Sequence, residues 1–454
     1  MPTKTTQAGK LDSPYPNPTL KLEEAGNTPL APDSNQFKKL LKAVPAYFAR
    51  GAAALHHRNY RLFFFGQLVS LIGTWMQNLA QGWLVLKITN DPLALGLVTA
   101  LQFLPVMFLT LFGGIIADRL PKRRTLLFTQ TSAMSLAFIL ATLVSFNIVQ
   151  LWEIYVLATM LGLVNAVDMP VRQSFVSEMV GKEELMNAVA LNSSIFNAAR
   201  VVGPAVAGLL IGWIGIAPAF WLNGFSFVAV LTGLFLMRDA ELFGGIGKKP
   251  TGKIFVHLKE GLGYTLHTPA VNIIMILVGI VGLLGVNFNV WIPVLANNYL
   301  KVGAEGYGIL MSGIGVGALG RALTLAMAGK KPKHMTLVKG ACFFSLFGFG
   351  VAISPFFWVS VALMVGLGAS MSNVMASANT LVQMITPDNL RGRVMSVYML
   401  VFAGTTPIGG LLAGWLASVG GTPFSMGICM VLSFMSVPIA WILMNRNRES
   451  LESL

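Results

Sequence analysis

VMSVYMLVFAGTTPIGGLLAGWLASV, residues 394–419, is a continuous apolar run without a single charge. At about 1.5 Å per residue, a helix made from it is long enough to cross a hydrocarbon core of about 30 Å. A transmembrane β-barrel would need strands of about 10 residues that alternate in polarity, and this run does not alternate. Similar apolar stretches recur outward from it, between Leu62 and Met444. They predict spans at 62–86, 93–117, 125–148, 152–170, 188–212, 217–237, 271–295, 306–328, 336–354, 356–381, 394–418 and 422–444. Across all 454 residues the chain is 55% hydrophobic and 11% charged, which leaves a lipid bilayer as its solvent.

The net charge of +14 would suit nucleic acid if the charge were clustered, but it follows the span map instead. Of 32 Lys and Arg, 28 fall on one side of that map, in the N-terminal tail, alternate loops and the C-terminal end. Lys87 and Lys301 fall on the other side, and Arg200 and Arg321 lie within spans. The positive-inside bias therefore predicts cytoplasmic termini in an inner-membrane protein, and no nucleic-acid partner. Cys342 and Cys429 sit in apolar spans without motif spacing, and His56, His57, His257, His267 and His334 are scattered. Neither a disulfide framework, a metal site nor a cofactor is expected.

A weak internal repeat organises the spans. ADRLPKRRTLL at 117–127 realigns with AGKKPKHMTLV at 328–338, and AGLLIGW at 207–213 with GGLLAGW at 409–415, at offsets of 211 and 202. Two matches near half the chain length describe six spans used twice in parallel orientation. The expected fold is an all-α membrane protein of twelve transmembrane helices in two pseudo-symmetric six-helix bundles. Its expected divisions are a tail at 1–59, bundles at 60–237 and 271–445, a cytoplasmic linker at 238–270 and a C-terminus at 446–454. The tail is rich in Pro, Asn, Thr and Lys and reads as largely disordered, with 37–50 suited equally to a short interfacial helix interrupted at Pro45 and to a simple basic flank of the first span.

Polar groups inside spans are expensive in lipid, so they mark surfaces that face protein or water. Gln67, Ser70, Thr74, Gln77, Asn78 and Gln81 recur at three- and four-residue steps in span 1. Ser370, Asn373, Ser377 and Thr380 do so in span 10, while Asn165 and Asp168 fall in span 4 and Asn287 in span 7. For one stripe, interhelical hydrogen bonding is the commoner explanation. Stripes on the first and fourth spans of both halves point to a shared central cavity that contacts substrate.

Arg200 and Arg321 each need water, a carbonyl or a carboxylate. Asp168 and Arg172 stand four apart across Pro170, near the end of span 4, with Glu178 beyond. This pattern reads either as a local ion pair or as a proton-exchanging site with Arg200 nearby. No acidic residue lies near the middle of any predicted span, and no Walker loop, GxSxG or HExxH motif is present, so catalysis is not expected. Gly203-Pro204, Gly208 and Gly212, like Gly313, Gly317 and Gly320, allow close backbone approach.

GGIIADRLPKRRTLL resembles the signature loop of the major facilitator superfamily at Gly114, Asp118, Arg119, Lys122 and Arg123. Pro121 stands where that pattern usually has glycine, and Gly329 replaces the Asp in the second copy. The stretches NYRLFFFGQLVSLIGTWMQNLAQGWLVLKIT, DMPVRQSFVSEMV and NAVALNSSIFNAARVVGPAVAGLL are similar to the bacterial drug- and siderophore-exporter branch. The resemblance implies proton-driven export of a drug-like or siderophore-like molecule by a monomer in contact with membrane lipid. It also implies that Asp118 engages the start of span 11 and that the basic residues stabilise the outward-facing state. A lipid or lysolipid translocator and a non-transporting membrane scaffold are the rival readings.

Overall fold

A computed structural model of the chain describes residues 52–243, 254–328 and 332–446. The expected 37–50 helix, most of the tail and residues 447–454 lie outside them. So do the side chains of Gly114, Asp118 and Arg119, although the helix that carries them is described. No strand occurs among the described residues. They contain twelve long helical segments: α1 (Arg58–Thr89), α2 (Pro92–Arg119), α3 (Lys122–Ser145), α4 (Leu151–Val180), α5 (Leu185–Ile214), α6 (Ala217–Phe235), α7 (Pro269–Tyr299), α8 (Gly303–Ala328), α9 (His334–Ile353), α10 (Phe357–Ile385), α11 (Asp388–Gly420) and α12 (Thr422–Arg446).

Eleven of these are long and apolar enough to cross a membrane. The other, α1, is long enough, but its row of amides and hydroxyls dilutes its hydropathy. Large apolar side chains such as Phe128, Trp213 and Trp358, each more than 70% exposed, point outward and suit lipid contact.

Local signals set the helix ends. Asn90 adopts a left-handed conformation (φ 49°) after α1, and the Asp91 carboxylate accepts from the Leu93 amide (2.8 Å) to start α2. Gln150 and Glu153 form a reciprocal cap on α4. Helices α5 and α11, equivalent in the repeat, both stop at glycines with positive φ, Gly215 (93°) and Gly421 (84°).

Two segments depart from expectation. Span 4, expected to end at 170, runs on as α4 to Val180, because Pro170 removes only one backbone donor and side-chain bonds to α3 hold the turns on both sides of it. Helix α7 is interrupted at Val286 and Asn287 and finishes in a π segment at Leu295–Tyr299. At the break the Asn287 side-chain amide donates to the Leu283 carbonyl (2.8 Å), competing with the helical ladder.

Packing repeats with a shift of six helices. In the first bundle α1 packs on α5 and α6, α2 on α4, and α3 on α4 and α6. In the second, α7 packs on α11 and α12, α8 on α10, and α9 on α10 and α12. The bundles meet along two equivalent seams, α5 with α8 and α2 with α11. Both copies of the repeated GLL text lie on these seams. A Cβ placed on Gly208 would meet the Gly308 Cα at 2.9 Å, and one on Gly414 would meet the Gly96 Cα at 3.3 Å. The glycines thus bring backbone to backbone across the bundle interface.

Candidate functional site

The seams are tight at the end of the molecule that carries the α1–α2 and α7–α8 turns. There the Asn298 amide donates to Asn90 Oδ1 (3.4 Å), and Trp83 stacks on Tyr307 with ring centroids 6.1 Å apart. Farther along the α5–α8 seam, the Ser312 hydroxyl donates to the Val201 carbonyl (2.8 Å), and a Cβ on Gly315 would lie 2.9 Å from the Arg200 carbonyl. Beyond that level the helices part. Ala190 and Ser194 share the α5 face of Val201 and Gly208, yet both are exposed. Near this opposite end, which carries the start of α1 and the end of α12, ion pairs and hydrogen bonds among the described residues stay within one bundle or join the helix Ile254–His267 to α11. The α5–α8 seam is therefore closed at the end with the α1–α2 and α7–α8 turns and parts toward the end that carries the start of α1 and the end of α12.

The polar stripe of α1 divides between two surroundings. Gln67 and Gln77 turn into the first bundle, where Gln67 accepts from Arg172 (2.6 Å) and Gln77 accepts from Asn223 (2.6 Å). Thr74 bonds back to the Ser70 carbonyl (2.9 Å). Asn78 and Gln81 line a cavity of about 50 Å³ with Thr99 and Gln102 of α2 and Asn289 of α7. Asn165 on α4 is half-buried.

In the second bundle Asn373 is the hub of the α10 stripe. Its side-chain oxygen accepts from Arg321 (2.7 and 3.1 Å), and its amide donates to the Thr336 carbonyl (2.8 Å). Ser377 and Asn287 each bury an oxygen without a partner.

Asp168 is 1% exposed and fully engaged. It accepts from Thr129 (2.7 Å) and Gln130 (2.7 Å) of α3 and pairs with Arg172 one turn along α4. Through Arg172 and Gln67 this network ties α1, α3 and α4 together. Arg200 does not belong to it. Its guanidinium lies 5.7 Å from the Trp75 ring centroid and 3.9 Å from Met371 Sδ, bridging α5, α1 and α10.

Of the signature-loop residues with described side chains, Lys122 pairs with Glu178. Arg123 bonds the Leu234 and Phe235 carbonyls (2.7 and 2.9 Å) and Asp239 (2.7 Å), capping the end of α6. These contacts remain inside the first bundle and do not reach the start of α11, where Asp388 pairs with Arg391 (2.6 Å). Sequence reasoning missed Thr129, Gln130, Asn223, Asn289 and Gln102. The adjacent polar pair Thr129-Gln130 in an apolar span was a usable signal.

The family described as transmembrane secretion effector matches residues 49–453. The staphyloferrin A transporter of Staphylococcus aureus is 27% identical over 396 residues, covering 85% of this chain and 96% of that protein. The multidrug efflux pump Tap of Mycolicibacterium fortuitum is 24% identical and covers 86% and 96%. Among solved structures, the nucleoside transporter NupG superposes with a TM-score of 0.67 at 12% identity, over 85% of this chain and 98% of that one, a likeness of fold alone.

Proposed function

The chain belongs to the transmembrane secretion effector family and is a membrane transporter of the major facilitator type, and from that premise we propose that it exports a drug-like or siderophore-like molecule by alternating access. The observation that carries the reading is the pair of glycine seams that close one end while the bundles stand apart at the other. Two rigid bundles that touch over half their length can rock about the contact and expose a central site to each side in turn.

The positive-inside bias assigns the open end to the cytoplasm of a bacterial inner membrane, so this is the loading state of an exporter. The small cavity of Asn78, Gln81 and Asn289 at the sealed end of the opening is the candidate substrate contact. Gln67, Gln77, Thr74 and Asn373 support it indirectly by fixing their helices.

Coupling is assigned to protons through Asp168. A proton there removes the charge that holds Arg172, freeing the guanidinium and loosening the joint between α1, α3 and α4. Lys122, Arg123 and Asp118 belong to the cytoplasmic gate: on closure, Asp118 would meet the positive N-terminus of α11. Inverted vesicles test the export reading. Expression of the chain should give energy-dependent uptake of a substrate dye that stops when the proton gradient is dissipated. Uptake unaffected by dissipation removes the proton coupling, and an unchanged rate in Asp118→Asn removes the gate.

A further inference from the structure

We propose that the transported molecule carries an anionic group and that Arg200, approached past Arg321, is its counter-charge, an inference that rests on the export reading. Both guanidiniums lie within membrane-spanning helices, and among the described residues neither has a carboxylate within ion-pair distance. Asp168, the described acid deepest in the spans, is already satisfied by Arg172, Thr129 and Gln130. Asp91, Glu153 and Glu305 sit at the sealed end, and Glu178, Glu184 and Asp388 sit at the open one. Neither arginine therefore has a fixed counter-ion, and Arg200, whose guanidinium reaches from α5 to Met371 of α10, lies between the bundles.

Holding an arginine at membrane depth is unfavourable, and a Trp75 face and a thioether offset only part of that. No nitrogen of Arg200 or Arg321 is both fully buried and without a partner, so each guanidinium keeps an N–H with some accessible surface. The two sit at different depths. Arg321 lies six residues beyond Gly315 toward the open end, about 9 Å along α8, and Gly315 abuts the Arg200 backbone. A carboxylate, phosphate or sulfonate entering from the open end would pass the level of Arg321 before that of Arg200. It then reaches Arg200, where Trp75, with Phe196 edge-on at 5.7 Å, offers an apolar surface to the rest of the molecule. A guanidinium holds such oxyanions by paired hydrogen bonds as well as charge.

The test uses two dyes built on the same xanthene ring, anionic carboxyfluorescein and cationic rhodamine 123, with binding to the purified full chain read by fluorescence anisotropy. The wild type is expected to bind carboxyfluorescein at least about tenfold more tightly. Arg200→Gln should lose that margin for the anion and leave the cation unchanged, and Arg200→Lys should keep part of it. Arg321→Gln should cost only a few-fold. Equal or weaker binding of the anion by the wild type, including none, overturns the proposal, and so does unchanged anion binding in a folded Arg200→Gln. The wild-type preference decides the matter if the variant does not fold. Inverted vesicles separate the two readings: energy-driven uptake of rhodamine 123 alone keeps export and removes the anion, whereas uptake of neither dye removes export but not a measured binding preference.

Discussion

The two ends of the cavity are built by different chemistry. At the sealed end the bundles touch through glycine backbone, with Gly208 on Gly308 and Gly96 on Gly414, and few polar groups cross. At the open end no described ion pair joins one bundle to the other: Lys122 pairs with Glu178 and Arg123 with Asp239 on the first, and Arg393 of the second pairs with Glu260 on the helix Ile254–His267. Glycine contacts are short-ranged, so a small rotation undoes them without stranding a charge. Internally satisfied ion pairs leave the open end free of groups that demand a partner across the gap. Such a division suits an interface that must both close and part.

The largest effect is expected where the polar network holds a bundle together. Asp168→Ala leaves the partly buried Arg172 and the buried donors of Thr129 and Gln130 unanswered and should lower stability by about 3 kcal/mol, measured as thermal unfolding in detergent; an unchanged Tm would show the network to be dispensable. Gly208→Leu attacks the seam instead. Overpacking there should cost about 1–3 kcal/mol, shift the balance toward a parted seam and raise the reactivity of a cysteine placed at Asn90. Smaller still, Lys122→Ala breaks a partly exposed pair and should cost about 1 kcal/mol or less in the same unfolding assay. Glu260→Gln, on the more exposed pair that joins the helix Ile254–His267 to α11, should change Tm least of all. The comparison would fail if Glu260→Gln proved as damaging as Gly208→Leu.

Much of this architecture was legible because lipid makes hydropathy and charge placement nearly sufficient. All twelve spans correspond to helices, and the repeated GLL text, legible as an internal repeat, falls on the seams. Span 4 was expected to end at 170, but hydropathy does not register the bonds by which α3 holds α4 on both sides of Pro170. The interruption of α7 was invisible, since the Asn287 side chain there competes for the Leu283 carbonyl without a proline to announce it.

At the site, the Asp168–Arg172 pair followed from helical spacing. Its partners Gln67, Thr129 and Gln130 did not, because which faces of α1 and α3 turn toward α4 depends on helix rotation. For the same reason the α1 amides read as one surface, yet Gln67 and Gln77 look into the bundle while Asn78 and Gln81 look into the cavity. Arg200 was expected beside Asp168 and lies instead against Trp75 and Met371.

Rocking about the sealed end is the central claim, and a reversible lock tests it most directly. With Cys342 and Cys429 replaced by alanine, cysteines at Asn90 and Asn298 would sit on opposite bundles at the closed end, and cysteines at Met186 and Met327 would sit on the α5 and α8 ends that have parted. A short cleavable thiol cross-linker is predicted to join the 90–298 pair readily and the 186–327 pair poorly in resting protein. Locking 90 to 298 should stop transport, and cleaving the linker should restore it. Transport that continues through the locked 90–298 pair would contradict the account.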